Sequence, residues 1–137
     1  MVDRPTPLSV LNTVFGYAEF RGHQADVIDH VVAGGDALVL MPTGSGKSLC
    51  FQAPAVVPPI PGRTGSPRQG VALVVSPLIS LMKDQVDGLR VDGVAASFLN
   101  STQTSSQRDE VIASLREDRA RRRLAAGGDN PWPLEHP

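Results

Sequence analysis

Ala37-Leu38-Val39-Leu40-Met41-Pro42-Thr43-Gly44-Ser45-Gly46-Lys47-Ser48 is the stretch on which the reading of this chain turns. Its first five residues are a continuous apolar run of strand length, the pattern of a strand buried on both faces. A helix is expected to begin near Lys47 and to continue through Ser48, Leu49, Cys50 and Phe51, until Pro54 bends or ends it. Strand, Gly-rich turn and helix in that order make a phosphate-binding loop. Glycines let main-chain N–H groups surround phosphate oxygens, and the helix N-terminus adds its partial positive charge. Thr43, Gly44, Ser45 and Gly46 then form the cradle. Lys47 neutralises the β- and γ-phosphates as the catalytic cation, and the Ser48 hydroxyl completes a Mg²⁺ site. The strict pattern has Gly where Met41 stands, so the match is to a relaxed form, and the flanking elements restore its specificity. The competing reading is a Gly-rich strand-to-helix turn with an exposed lysine.

Working outward, residues 8–15 suit a short apolar helix stopped by Gly16, and residues 25–32 carry Val27, Ile28, Val31 and Val32 at helical spacing. Residues 58–70 hold four prolines and three glycines and read as a surface loop. Residues 71–75 form a second apolar run of strand type, followed by Ser76 and Pro77 in N-cap and first-turn positions. The helix they open has Leu78, Leu81, Met82, Val86 and Leu89 on one face, with Lys83, Asp84 and Asp87 away from it. Residues 93–99 suit a third strand, and a helix carrying Val111, Ile112 and Leu115 follows from Ser105 or Ser106. Strand and helix alternating three times predict a parallel α/β sheet with right-handed crossovers. Residues 1–115 are then one domain, and 116–137, Arg-rich and without period, an irregular tail.

The 137 residues allow one compact domain. With 41% hydrophobic and 20% charged residues the composition is that of a soluble globular chain. Thirteen basic against fourteen acidic residues give a net charge of −1, which excludes a general polycationic hold on nucleic acid or membrane. A polyanion must be bound locally, and Lys47 and Lys83 are the only lysines. The single Cys50 excludes an internal disulfide, and no apolar run approaches bilayer length. Without a basic start followed by an apolar segment, a cytoplasmic location is expected. His23 and His30 have no third ligand in view, so no metal role is assigned to them.

Four segments in order resemble the N-terminal part of a RecQ-type DNA helicase: Phe15-Gly16-Tyr17 with Phe20-Arg21 and Gln24; residues 41–52; residues 75–86; and Leu99-Asn100-Ser101-Thr102-Gln103. The resemblance runs from Leu11 to about Leu115. It implies an incomplete RecA-like parallel sheet flanked by helices, with ATP and Mg²⁺ as ligands. It implies further that Tyr17 and Arg21 sandwich adenine while the Gln24 amide pairs with the base edge, a match that hydrogen-bond geometry favours. Read singly, Tyr17 is a half-buried aromatic, Arg21 a surface cation and Gln24 an exposed polar residue; as a set ahead of a phosphate loop they read as an adenine site. Residues 76–86 resemble the motif lining a single-strand DNA path, where Ser76, Pro77 at the helix start and Lys83 meet the phosphodiester backbone. Capping alone also explains Ser76-Pro77. Asn100 and Ser101 stand where the family has another DNA-facing loop, or else form a simple turn.

The family's acidic Asp-Glu-x-His motif, which holds Mg²⁺ and orients water, occurs nowhere in the sequence, and neither does its Ser/Thr-Ala-Thr motif. In the family fold the strands beside the phosphate-loop strand come from sequence not present here, so a thin, partly open sheet with exposed apolar faces is expected. The chain therefore reads as an N-terminal fragment of a RecQ-like 3′ to 5′ helicase of recombination and repair. It would bind ATP·Mg²⁺ weakly and single-stranded or junction DNA, with its oligomeric state open. A non-catalytic ATP- or DNA-binding module, an inactive truncation product and a small-molecule kinase are the alternatives. The adenine and DNA-path segments argue against the kinase.

Overall fold

The computed structural model describes residues 4–57 and 71–125, the side chains of 118–125 excepted. The expected surface loop at 58–70 and the last part of the tail, 126–137, lie outside the described residues. Five helices follow one another: α1 (Pro7–Thr13), α2 (Gln24–Val32), α3 (Leu49–Val56), α4 (Ile79–Val91) and α5 (Ser105–Ala125). Two compact units divide the chain, one made of Met1–Gln69 with Asp92–Val94 and the other of Gly70–Val91 with Ala95–Pro137.

In the first unit α1 opens on a reciprocal cap. The Ser9 N–H donates to Thr6 Oγ1 at 3.1 Å and the Thr6 N–H donates to Ser9 Oγ at 2.8 Å, with Pro7 pre-set for the first turn. Val10 and Leu11 of α1, Ile28 and Val32 of α2, and Leu49, Ala53 and Val57 in and after α3 are buried together, and α3 packs on both other helices. Phe15 and Phe20 close over this cluster from the connecting segment. Each fully buried Leu or Ile contributes about 1.5–3 kcal/mol. That burial explains why α3 runs through Pro54 where the sequence suggested a bend or end. Pro54 is itself buried and lies among Leu49, Cys50 and Ala53, so packing offsets the missing hydrogen bond.

The expected parallel sheet is absent: among the described residues there is no strand and no sheet. Residues 37–41, 71–75 and 94–99 run between helices without ladder pairing. Leu38 and Leu40 are 89% and 88% exposed, and Leu73 and Val75 are 88% and 89% exposed. Val39, Met41 and Ser76 between or after them are partly covered, so the one-in, one-out alternation of extended backbone survives. The physical reason for the difference is that apolar content sets a preference for burial, whereas a strand exists only when another backbone satisfies its N–H and C=O groups. The expected partly open RecA-like sheet is thus replaced by helices joined through unpaired apolar runs.

The second unit buries little. Val86 of α4 is buried, Met82 and Leu89 are partly covered, and Leu78 and Leu81 of the same apolar face are exposed. Helix α5 starts on a second reciprocal cap, with Thr104 Oγ1 accepting from the Gln107 N–H at 3.2 Å and Gln107 Oε1 accepting from the Thr104 N–H at 2.9 Å. It continues ten residues past Leu115, to Ala125, where an irregular tail was expected from 116. Arg, Ala, Leu and Glu are strong helix formers and no Gly or Pro interrupts the segment, so loss of an apolar period did not end the helix. No described helix is long and apolar enough to cross a membrane.

Candidate nucleotide and nucleic-acid sites

In the first unit, the segment before α2 and the Gly-rich loop before α3 border one cleft of about 490 Å³, lined by Arg21, Gly22, His23, Leu40, Met41, Pro42, Gly44 and Ser45. That volume is within the roughly 300–1,000 Å³ usual for small-molecule sites. Gln24 joins the two walls. It is only 4% exposed; its Oε1 accepts from the Arg21 N–H at 2.8 Å and its Nε2 donates to the Gly46 carbonyl at 3.0 Å, across 22 residues of sequence. Gly46 has φ +82°, a backbone that favours glycine, and a Cβ there would meet Gln24 Nε2 and displace the Gln24 amide.

The loop itself is folded tightly. The Ser45 N–H donates to the Pro42 carbonyl at 3.2 Å, the Ser45 hydroxyl donates to the same oxygen, and Gly44 also has φ +82°. After Gly46 the Cys50 N–H donates to the Lys47 carbonyl at 3.0 Å and the Gln52 N–H to the Ser48 carbonyl at 3.0 Å, which starts α3 directly behind the loop. Lys47 and Thr43 are exposed, and Ser48, half-buried, is the N-cap residue of α3. A hydroxyl, Ser48, stands at the end of the loop, and no three described His, Cys, Asp or Glu residues cluster to hold an ion by themselves.

Tyr17 is 55% exposed and does not line the cleft, although its backbone is fixed. Asn12 Nδ2 donates to the Tyr17 and Ala18 carbonyls at 2.6 and 3.0 Å, and the Tyr17 N–H donates to the Leu11 carbonyl at 3.2 Å. Sequence reasoning missed Asn12, and an isolated Asn near a helix end carries no distinguishing signal. His30 was also read too thinly. Its Nε2 lies 2.8 Å from the Asp36 carbonyl and its ring fills the space left by Gly35, which fixes the exit from α2 toward the loop. Cys50 is a buried free thiol whose pKa burial pushes up, as expected for a packed side chain.

The second unit holds a cleft of about 360 Å³ bordered by Leu73, Val74, Val75, Ser76, Ile79, Met82, Leu99, Asn100 and Ser101. Three of the five residues expected to touch nucleic acid, Ser76, Asn100 and Ser101, therefore meet at one opening. Ser76 Oγ accepts from the Leu78 N–H at 3.3 Å, a local turn that leads into α4. Pro77 is exposed beside it and does not line the cleft. Lys83 is exposed on α4, away from the cleft lining, and is paired with Asp87 one turn on. The hydrogen bond to Asp87 and the carboxylate's charge hold the Lys83 ammonium pKa above its usual value. Asn100 Oδ1 accepts from the Thr102 N–H at 2.9 Å and from the Thr102 hydroxyl at 2.6 Å.

Residues 21–122 match the DEAD/DEAH box helicase family. The chain is 51% identical over 115 residues to the ATP-dependent DNA helicase RecQ of Haemophilus influenzae, an overlap of 84% of this chain and 17% of that protein. It is 41% identical over 115 residues to the ATP-dependent DNA helicase RecQ of Synechocystis, covering 84% of this chain and 22% of that one. With the ATP-dependent DNA helicase hus2/rqh1 of Schizosaccharomyces pombe it shares 42% identity over 108 residues, 79% of this chain and 8% of the relative. The chain thus spans less than a quarter of the length of these relatives. With the Gly-rich loop and its bracing segment both inside the matched region, the chain belongs to the DEAD/DEAH box helicase family.

Proposed function

We propose that this chain carries the nucleotide-recognition and first DNA-contact parts of a RecQ-like, ATP-dependent 3′ to 5′ DNA helicase acting in recombination and repair. The observation that carries the nucleotide half is the Gln24 bridge, which ties the backbone of Arg21 to that of Gly46 across one cleft. Arg21, in the cleft lining, and Tyr17, exposed outside it, close on adenine from two sides, Thr43 to Gly46 cradle the phosphates, and Lys47 neutralises the terminal ones. Gln24 holds the Gly46 carbonyl with one of its two amide hydrogens and keeps a second donor for the base edge, so base recognition and loop shape are linked through one amide. Mg²⁺, when bound with ATP, would sit at the Ser48 hydroxyl and neutralise phosphate charge. The DNA half rests on Ser76, Asn100 and Ser101 meeting at one opening, with Pro77 and Lys83 nearby in sequence. Single-stranded or junction DNA is the partner of that reading, and a cytoplasmic setting goes with it.

The 137 residues contain no Asp-Glu-x-His carboxylate to orient water, so binding without turnover is the expected behaviour of this chain. Calorimetric titration with ATP·Mg²⁺ tests the reading. Lys47→Ala removes a charge-assisted contact and should weaken binding about tenfold or more. Gln24→Ala should weaken ATP more than it weakens inorganic triphosphate. Equal ATP affinity in all three proteins, or steady ATP turnover by the unsubstituted chain, would overturn it.

A further inference from the structure

One wall of the second cleft is a turn held by the side chain of Gln103. Gln103 is partly buried behind residues 98–101. Its Oε1 accepts from the Asn100 N–H at 2.9 Å, its Nε2 donates to the Phe98 carbonyl at 3.0 Å, and its own N–H donates to the Asn100 carbonyl at 3.4 Å. One amide thus fixes the backbone on both sides of Leu99, and Leu99, Asn100 and Ser101 are the residues this turn contributes to the cleft. Within the turn the Asn100 carboxamide oxygen is already occupied by Thr102. Ser101, exposed and with no hydrogen bond among the described residues, is left to meet a ligand beside Ser76. A neutral hydroxyl contributes to a phosphate contact only if its backbone is held in place beforehand, because ordering a loose loop on binding consumes the gain.

We propose that Gln103 is the positioning residue of the DNA cleft, holding the 98–101 turn so that Ser101 and Ser76 present one phosphate-binding edge. This rests on the DNA-path reading of that cleft. Gln103 touches no DNA; it acts through Ser101.

The test uses the 137-residue chain and a fluorescein-labelled oligodeoxythymidine, read by anisotropy at fixed salt. Ser101→Ala should weaken binding about three- to tenfold, and Gln103→Met, which keeps length and loses both amide bonds, should do the same. The double variant should be no weaker than about twofold beyond either single, because both act through one contact. ATP affinity should be unchanged in all of them, and amide exchange at Asn100 should speed up in Gln103→Met. Gln103→Asn, too short to span both partners, is the second variant if Gln103→Met loses its helical circular dichroism. Ser76→Ala and Ser101→Ala both binding like the unsubstituted chain would sink the DNA-path reading, and this inference with it. A weakened Ser101→Ala beside an unaffected Gln103→Met, or losses that simply multiply in the double variant, would overturn the role of Gln103 alone.

Discussion

The two units use their apolar residues in opposite ways. In the first, three short helices bring Leu11 and Ile28 to zero exposure and surround them with Val10, Val32, Leu49, Ala53 and Val57. In the second, α4 and α5 carry comparable side chains, yet Val86 is the buried hydrophobic among its described residues, while Leu73, Val75, Leu78 and Leu81 face outward. What differs is the kind of neighbour each pattern needs. A helix satisfies its own backbone and requires only another apolar face, which α1, α2 and α3 give one another within fifty residues. An apolar extended run needs a second backbone at its edge, and among the described residues neither 37–41 nor 71–75 has one. Both clefts border such runs, but a side-chain amide stiffens each: Gln24 reaches Gly46 far along the chain, whereas Gln103 reaches only Phe98 and Asn100.

The contrast in burial gives the largest expected effect. Leu11→Ala opens a cavity under all three helices and should cost about 2–5 kcal/mol, enough to abolish cooperative melting of the first unit. Val86→Ala, at a site with few buried neighbours, should cost well under about 2 kcal/mol. Thermal melts followed by circular dichroism distinguish the two, and equal losses would mean that the second unit has a core of its own. Next in size is Gly46→Ala. The left-handed backbone costs about 1–2 kcal/mol for any other residue, and the new Cβ displaces the Gln24 amide. ATP affinity should fall by about tenfold or more, in step with loss of the Gln24 bridge; an unchanged affinity would separate the bridge from the phosphate cradle.

A smaller effect is expected one step further from the ligand. Asn12 fixes the Tyr17 and Ala18 carbonyls, and its two hydrogen bonds are exposed to solvent. Asn12→Ala should cost about 1 kcal/mol in the order of the Tyr17 loop. It should narrow the preference for ATP over inorganic triphosphate about fivefold, with triphosphate affinity itself unmoved. A drop in both affinities together would show that Asn12 supports the fold and not the base site.

These expectations also mark what could be read from the residues alone. The helices were legible because a 3.6-residue period is local: Ile28 and Val32 lie about one turn apart. The Gly-rich turn ahead of α3 was legible because Gly44 and Gly46 take left-handed backbone that glycine adopts without strain. The sheet was misread because residues 37–41 and 71–75 state what their side chains prefer and not whether a partner backbone is present. Gln24 stood out as one of a set ahead of the Gly-rich loop, but its Gly46 partner is 22 residues away and no periodicity points to it. Gln103 did carry a signal. Gln three residues after Arg21, after Asn100 and after Thr104 accepts in each case from the backbone N–H three positions earlier, and at Thr104 the bond is reciprocated to cap a helix start.

The smallest effect concerns Lys83. It was expected on the DNA path, and it is held by Asp87 on an open face of α4. Its pKa is raised by the Asp87 hydrogen bond and charge above an ordinary value of 10.5. A raised lysine pKa stabilises the fold wherever the amine is charged in both states, and that contribution is lost only as pH rises through the shifted value. From about pH 6 to about pH 9 the pair is therefore constant, and because both groups are exposed, Asp87→Asn should leave the melting midpoint unmoved. A pair so weak is no barrier to exchanging the carboxylate for a DNA phosphate. Asp87→Asn frees Lys83 and removes one negative charge, whereas Asp84→Asn removes the same charge and leaves the pair intact. Asp87→Asn should bind oligodeoxythymidine about twofold more tightly than Asp84→Asn at low salt, the gap closing as salt rises. Equal affinities would take Lys83 off the DNA path and leave the contact to Ser76, Asn100 and Ser101.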